Sequence, residues 1–582
     1  MNSLPGERHQ SYLQASRSLG MAATRVEERV SCAFGLRSTM EPFFESGSSI
    51  PMGGVLLLLP FLIECGLLSY QHHYDQRKGY YNFDSLLLTL SFLSLCRIRS
   101  LEQSKLYSPG EFGMLIGYDR IPEVKKLRSM THELTQQQQS ENWAKALSRQ
   151  WIEEEEPQLY YIDGHVQVYH GYLAELGKKH VSRQRLCLPG MMEFWVNSPE
   201  GLPFFAITAE VNEKMLQMLE HEIIPRLVEL HSISIEQQKA MDDNEDYPLF
   251  TLVFDREGYS PSFFKRLWEQ YRIAVLTYRK NVKDDWQEAD FQEMEVETRL
   301  GKSSILLHEQ ETTIDGCPLR EIRRLCEGGH QTSIITTNKI LTVAILAGYM
   351  FGRWIQENFF RYMRQEYALD KIIQYSIDEI DKNVVVVNRE YSNITYLIKK
   401  EREKLSRLKA KSHDHRNTES KQKQEEGQKG KWFIKQLELQ EQITQKVQQI
   451  DRLIKQRKEI PYKISIGEMP EEYRYNKLNQ ESKLFYNIVK MICYRAETAL
   501  ANLLAPHYKR SGNEIRSLVK AVIKQTVDIE SDYQNKLLKI TIYPLANNRS
   551  NRAVEAVIEK INETKTTYPN TDLVMNFKIT TI

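Results

Sequence analysis

Residues 249–255 read LFTLVFD and residues 158–171 read QLYYIDGHVQVYHG. The first is a short apolar run ending in an acid, the pattern of a central strand covered on both faces. The second is rich in Tyr, Ile and Val and carries Asp163 in its middle, where a carboxylate among apolar neighbours needs a partner. Around them, MMEFWVNS (Met191 to Ser198), the turn Pro199-Glu200-Gly201 and LPFFAITAEV (Leu202 to Val211) complete an antiparallel meander with the first strand. Met215, Leu216, Leu219, Ile223 and Leu227 fall at helical spacing over Glu213 to Leu230. Ser260-Pro261 opens a helix to Tyr271, and Ile273 to Thr277 is a fifth strand. The order β-β-β-α-β-α-β defines an α/β arrangement around one mixed sheet.

The flanks differ in character. Residues 1–50 read as a flexible arm with one helix around Ala22 to Cys32, and residues 51–135 as a helical N-terminal domain. The run VLLLLPFLIECGLL, Val55 to Leu68, holds Pro60 and Glu64 and is shorter than the ~20 apolar residues of a membrane span. It and Leu86 to Ile98 are read as buried helices, and no membrane association is expected. Glu111 to Ile116, the turn Gly117-Tyr118-Asp119 and a helix opening at Pro122 outline a helix-turn-helix, whose second helix presents Lys125, Lys126 and Arg128. Residues 281–340 alternate as β-hairpins, a β-rich insertion, and a helix runs from Ala344 to about Ile373. Residues 374–460 form a charged helical arm. From Lys399 to Lys458 it carries 18 Lys or Arg against 9 Asp or Glu, broken by the polar stretch Ser412 to Gly430. It is equally a solvated hairpin and a phosphate-contacting arm. Residues 461–582 form a small α+β C-terminal domain with a helix from Glu481 to Leu504 and a strand from Leu537 to Leu545.

The 582 residues carry 78 Lys or Arg and 77 Asp or Glu, which excludes a uniformly basic coat and leaves only local basic patches. Seven scattered cysteines without a C-x-x-C pair exclude a zinc ribbon or a disulfide framework and fit a reducing cytoplasm. Met1 to Gly20 is polar and is not a secretory signal. Gly301-Lys302-Ser303 lacks the upstream glycine of a phosphate-binding loop.

Three acids stand out. Asp163 lies on the first strand and Asp255 ends the apolar fourth strand, where ligand sites of α/β sheets are built. Glu357 lies in AGYMFGRWIQENFFRYMRQEYALDK, where Arg353, Glu357, Arg361 and Arg364 share a helix face beside Trp354, Phe359 and Phe360. Acids at spacings of 92 and 102 residues, on strand one, strand four and a helix after a β-rich insertion, resemble those of the DDE transposases of bacterial insertion sequences. That family's catalytic core has the ribonuclease-H-like fold. A signature Tyr-x2-Arg-x3-Glu-x6-Lys around the third acid of some members is met here by Arg353 and Glu357. Met350 stands at the Tyr position, with Tyr349 adjacent, and Arg364 at the Lys position. GGVLLLLPFLIECGLL, GEFGMLIGYDRIPEVKKLR and YNIVKMICYRAETALANLL extend the likeness over most of the chain.

The resemblance implies a ribonuclease-H-like core over residues 155–373 in which Asp163, Asp255 and Glu357 are catalytic and hold two Mg²⁺ ions about 3.5–4 Å apart, with Mn²⁺ able to substitute. It implies cleavage and joining of double-stranded DNA at element ends and target by a homo-oligomer assembled on DNA, in the nucleoid of a prokaryotic cytoplasm. Lys125, Lys126, Arg128, Arg353, Arg361 and Arg364 are the expected DNA contacts. His165, two residues from Asp163 on the same strand face, is read as a histidine that supports or packs beside the site, with contact to the scissile phosphate as the alternative. Glu366 is the alternative third acid, and Asp370 has no assigned role. The competing functions are a catalytically inactive DNA-binding regulator derived from a transposase and a coiled-coil scaffold over residues 388–460.

Overall fold

The computed structural model describes residues 21–75, 77–169, 176, 178–181, 186–282, 284–298, 301–352, 354–369, 377–378, 385–419, 426–468, 477–478, 480–508 and 512–580. Two compact units emerge: residues 1–171, 177–375 and 479–582 in the first, residues 172–176 and 376–478 in the second.

The front of the first unit is not a loose arm over its described part. It holds helix α1, Val26–Ala33, and strand β1, Gly47–Ile50. The apolar run at Val55 begins as a 3-10 turn, Gly53–Leu58, and becomes the short helix α2, Leu59–Glu64. Helix α3, Phe83–Leu95, is apolar all round and buried, and the Asn82 side chain caps it by accepting from Ser85 N at 2.8 Å. Ser108 caps α4, Pro109–Leu115, with Pro109 in the first turn. Helix α5, Val124–Thr135, buries Leu127, Met130 and Leu134 and leaves Lys125, Lys126 and Arg128 exposed. Helix α6, Ser140–Glu155, lays Trp143, Leu147 and Trp151 into the core.

The helix-turn-helix reading changes here. Eight residues, not three, separate α4 from α5, and Pro122 lies outside α5, whose cap is Glu123. The linking segment is held as a structural knot. Gly117 adopts φ +72°, and a Cβ there would stand 2.7 Å from Pro42. The Asp119 carboxylate accepts from Thr24 N, Arg25 N, the Arg29 guanidinium and the Tyr80 hydroxyl.

The central sheet follows. Its strands are β2 (Leu159–Val168), β3 (Lys178–Val181), β4 (Leu186–Asn197) and β5 (Pro203–Glu210). A helical run then reaches α7, Ile224–Leu230, through a π-turn at Leu219–Ile223, and α8 spans Ile235–Asp243. Strand β6 (Phe250–Phe254), helix α9 (Pro261–Tyr271) and strand β7 (Ile273–Tyr278) complete the alternation. The hairpins β8 (Gln292–Thr298), β9 (Gly301–Ile314), β10 (Cys317–Leu325) and β11 (Gln331–Thr336) extend the same sheet, with β11 on β7. Strands β2, β4, β5, β6 and β7 lie in the spatial order β5-β4-β2-β6-β7, and β3 pairs with the start of β4. The β5–β4 and β4–β2 pairs are antiparallel, and β2–β6 and β6–β7 are parallel. The alternation of a strand feeds two cores: Tyr160, Ile162, Leu252 and Phe254 enter one, Leu159, Tyr161, Val253 and Leu276 the other. The expected helix from Ala344 is two helices, α10 (Val343–Phe351) and α11 (Trp354–Tyr367).

The second unit is a helical hairpin, α12 (Arg389–Glu419) and α13 (Glu426–Glu459). The two helices end and begin inside the polar stretch Ser412 to Gly430, the first running to Glu419 and the second starting at Glu426. His415 stacks on Trp432 at 5.2 Å, Gln436 donates to Ser412, and Glu401 receives Lys446, so the two helices run antiparallel. Short strands flank it: β12 (Ile377–Asp378) pairs β15 (Lys477–Leu478), and β13 (Val385–Val387) pairs β14 (Lys463–Ser465).

The chain then returns to the first unit with α14 (Gln480–Leu504), α15 (Gly512–Ile523), β16 (Val527–Asp532), β17 (Leu537–Ile542), α16 (Asn548–Glu563) and β18 (Val574–Ile579). This end is not a separate domain. Strand β1 joins its sheet, in the order β1-β16-β17-β18. Gly54 N donates to Gln525 O, and a Cβ on Gly54 would stand 1.8 Å from Val522 O, so only glycine permits that approach. The Tyr568 hydroxyl donates to Leu115 O. Among the described residues no helix is long and apolar enough to cross a membrane.

Candidate active site

The parallel register of β2 and β6 pairs Tyr161 with Val253 and Ile162 with Phe254. The next residues, Asp163 and Asp255, therefore come level on adjacent strands, about 4.8 Å apart in the pairing direction. Both are partly exposed. Asp163 accepts from Gly164 N at 2.9 Å, and Asp255 caps the turn Arg256–Gly258 by accepting from Arg256 N at 2.5 Å.

Alternation on β2 gives Tyr161, Asp163, His165 and Gln167 one face. The Tyr161 hydroxyl donates to Tyr349 O of α10. His165 is buried, stacked on Phe360 of α11 at 5.0 Å, and Gln167 donates to Leu369 O. Contacts thus advance in step along strand and helices, from Tyr349 through Phe360 to Leu369. The stretch between Tyr349 and Phe360, which contains Glu357, passes on the Asp163 side of the sheet. Glu357 is exposed on α11, one turn before Phe360. The structure brings Asp163 and Asp255 together and puts Glu357 on their side. Among the described residues, however, no group of three or more His, Cys, Asp or Glu stands close enough to hold a metal ion.

Of the expected basic contacts, Arg353 lies outside the described residues, as does Asp370. Arg361 is exposed and donates to Asn358 at 2.8 Å, and Arg364 is half-buried. Arg128 pairs with Glu102, so part of its charge on α5 is spoken for. Glu366 is paired with Arg97 at 2.9 Å and Lys520 at 2.8 Å. Burial alone would raise its carboxyl, but the Lys520 hydrogen bond and Arg97 bring it below the usual range. Those partners tie α11 to Arg97 and to α15.

The helix bearing Glu357 is anchored by a network that sequence reading missed. Glu497 of α14, with a side chain 0% exposed, accepts from Arg97 at 2.7 Å and from the hydroxyls of Tyr362 and Tyr367 on α11. Arg516 approaches it at 3.6 Å. Glu193 of β4, cross-strand from His165, is equally buried and accepts from Gln167, Trp195 Nε1 and Asn487, with Lys483 at 3.5 Å. Charged residues inside MMEFWVNS and YRAET signal this only through the apolar runs that surround them.

Asp255 follows the carboxyl end of β6 and Asp163 lies at mid-strand on β2, just past the last β2–β6 pair, at the edge where sheets of this kind carry ligand sites. The chain belongs to a transposase family: the family model described as "Transposase protein" matches residues 20–581. No curated protein matches the chain. Among solved structures, the cryo-EM piggyBac transposase synaptic complex with hairpin DNA matches at 9% identity. That match covers 81% of this chain and 79% of that one with a TM-score of 0.31, too low to carry an argument.

Proposed function

We propose that this transposase is of the DDE type, with a ribonuclease-H-like core, and that it cuts and joins double-stranded DNA through Asp163, Asp255 and Glu357. The observation that supports the reading is the level placement of Asp163 and Asp255 on the central parallel strands of a sheet ordered β5-β4-β2-β6-β7. The donor set suits Mg²⁺ or Mn²⁺, since all three groups are carboxylate oxygens, the ligands hard divalent cations prefer. Asp163 and Asp255 would hold the ions, with Glu357 completing the set from α11. Bound there, the ions would activate water or a 3′-OH and stabilise the leaving 3′ oxygen. The chain's own part is positional. Strand pairing keeps the two aspartates level, and the stack of His165 on Phe360 seats α11 against β2. His165 is thereby a packing residue in this reading.

The test is metal-dependent nicking of DNA carrying the element ends, with Asp163→Asn, Asp255→Asn and Glu357→Gln measured one at a time. Each is expected to abolish cutting and to keep DNA binding. Wild-type-like cutting by Glu357→Gln alone would move the third acid elsewhere, and normal cutting by all three would remove the DDE reading. A regulator that binds DNA without cutting is the second reading. It is favoured by the finding that, among the described residues, no three acids stand close enough to hold a metal ion, and it predicts wild-type protein that binds element ends and never nicks them.

A further inference from the structure

Beside Asp255 the sheet changes sign. Phe254 pairs with Thr277 as the last pair of the parallel β6–β7 register; past it, Asp255 leads into the turn that opens at Arg256, and Tyr278 leads to Arg279. Arg279 N donates to Ser333 O of the next strand. Just past these two strand ends, Arg256, Arg279 and Lys280 come together around one cleft. A cavity of about 360 Å³ opens there, lined by Arg256, Arg279, Lys280, Asn281, His330 and Gln331, and no acid is among its described lining residues.

Its walls are built rather than incidental. Glu321, 1% exposed, accepts from Arg323 at 2.8 Å, from Ser333 Oγ at 2.7 Å and from Arg279. Two guanidiniums share that one buried carboxylate, so the cluster carries a net positive charge at the cavity wall. Arg279 Nε is buried there without a hydrogen-bond partner. Gln331 exchanges two hydrogen bonds with the backbone of Trp286, and Arg323 lies over the Trp286 ring at 4.1 Å, which fixes the segment after β7 against β11. Arg256 rests over Tyr278 and Lys280 over Tyr259, so both cations are held at the rim by their aromatic neighbours.

The geometry points to a phosphate subsite: this cleft binds a backbone phosphodiester of the DNA strand that enters the Asp163–Asp255 pair, one or two strand spacings from the scissile position. It rests on the DNA-cutting reading above and adds the residues that grip the substrate beside it. The forked guanidinium of Arg279 and the point charge of Lys280 are the two side-chain chemistries that recognise phosphate. The β-rich insertion thereby has a task, since β11 forms the far wall and β10 holds Glu321 against Ser333 and Arg279.

The experiment uses the full chain and a short duplex, with binding followed by fluorescence anisotropy over a salt series. The variant is Arg256→Ala/Lys280→Ala, both exposed at the rim, with Lys560→Ala on α16 as a control. Removing one cation from a phosphate lowers the slope of log K against log salt by about 0.9, so the double variant should drop by about 2 and the control not at all. Lys280→Glu should weaken binding further than Lys280→Ala. An unchanged slope in both cleft variants overturns the subsite. Inorganic phosphate alone is the second probe: if it raises the melting temperature of wild type and not of the double variant while the duplex slope stays the same, the cleft takes free anion and the DNA assignment is overturned. Nicking by wild type against Asp163→Asn is run in parallel. Failure of the subsite with nicking intact condemns this inference alone, whereas wild type that never nicks condemns the cutting reading alone.

Discussion

Two sets of carboxylates flank helix α11 and are held in opposite ways. Glu497 is fully buried and receives Arg97 and two tyrosine hydroxyls, with Arg516 near by. Asp163, at mid-strand on β2, and Asp255, just past the end of β6, are partly exposed, and each accepts from the N–H of the residue that follows it. The difference is one of burial: one carboxylate is enclosed by its partners, and the other two stay in reach of solvent. A buried ion with saturated partners is costly to disturb and useless for chemistry. Under the proposed function, a pair of half-exposed acids brought level by strand register would gain from a cation.

The comparison breaks most sharply at Asp163. Asp163→Asn should lower nicking by about 10³-fold or more, a loss of about 4 kcal/mol in transition-state stabilisation. Its melting temperature should stay level or rise, because one repelling charge is gone. A variant that loses activity and stability together would return Asp163 to the structural class.

Glu497→Gln should behave the other way round. Breaking a buried ion pair from one side costs about 3 kcal/mol, read by denaturant unfolding. Loss of nicking should follow the loss of folded protein and be recovered at low temperature. A fully stable Glu497→Gln that fails to nick would show that this network acts on chemistry instead.

Acid titration sharpens the same contrast. Burial by itself would raise the Glu497 carboxyl, yet Arg97, Arg516 and the tyrosine hydroxyls carry it below the usual range. At Asp119 burial is likewise outweighed, there by the Arg29 hydrogen bond and charge. A depressed folded value means that the stabilisation is complete above the unfolded value, about 4 for these carboxyls, and is lost as pH falls through the folded one. Stability should therefore hold from neutral pH to about 4 and fall steeply below it, and Glu497→Gln should show a shallower acid limb. A limb of equal steepness in both would remove Glu497 from the linkage.

The parts of the fold legible in sequence are those with local pattern. LFTLVFD reads as a strand covered on both faces because every side chain of Phe250–Phe254 is apolar or small, and all five are buried. The β-hairpins after residue 281 show by alternation. The union of the two ends was not legible. GSSI at Gly47–Ile50 has no pattern of its own, and its partner, Val527–Asp532, lies some 480 residues away. The break between α10 and α11 was hidden because apolar residues continue across Gly352. Buried Glu193, Lys483 and Glu497 look like surface charge until their partners from distant segments are known. At the site, Asp163 and Asp255 could be named from strand position. The cleft at Arg279 could not, because it depends on β7, β10 and β11 being neighbours.

The smallest expected effect belongs to α5. Lys125 and Lys126 are exposed on a helix whose other face buries Leu127, Met130 and Leu134. Replacing both by Ala should change folding stability by no more than about 0.5 kcal/mol, the range of ordinary surface substitutions. Their charge matters only toward a phosphate. If α5 lies on DNA, the double variant should reduce the salt slope by about 2 for element-end and unrelated duplexes alike, since phosphate contacts carry no sequence information. A loss confined to element-end DNA would instead place these lysines at base edges and restore the recognition-helix reading that the eight-residue link weakened. An unchanged slope would leave α5 as a solvated face, and the cations beside Asp255 as the better candidates for gripping DNA.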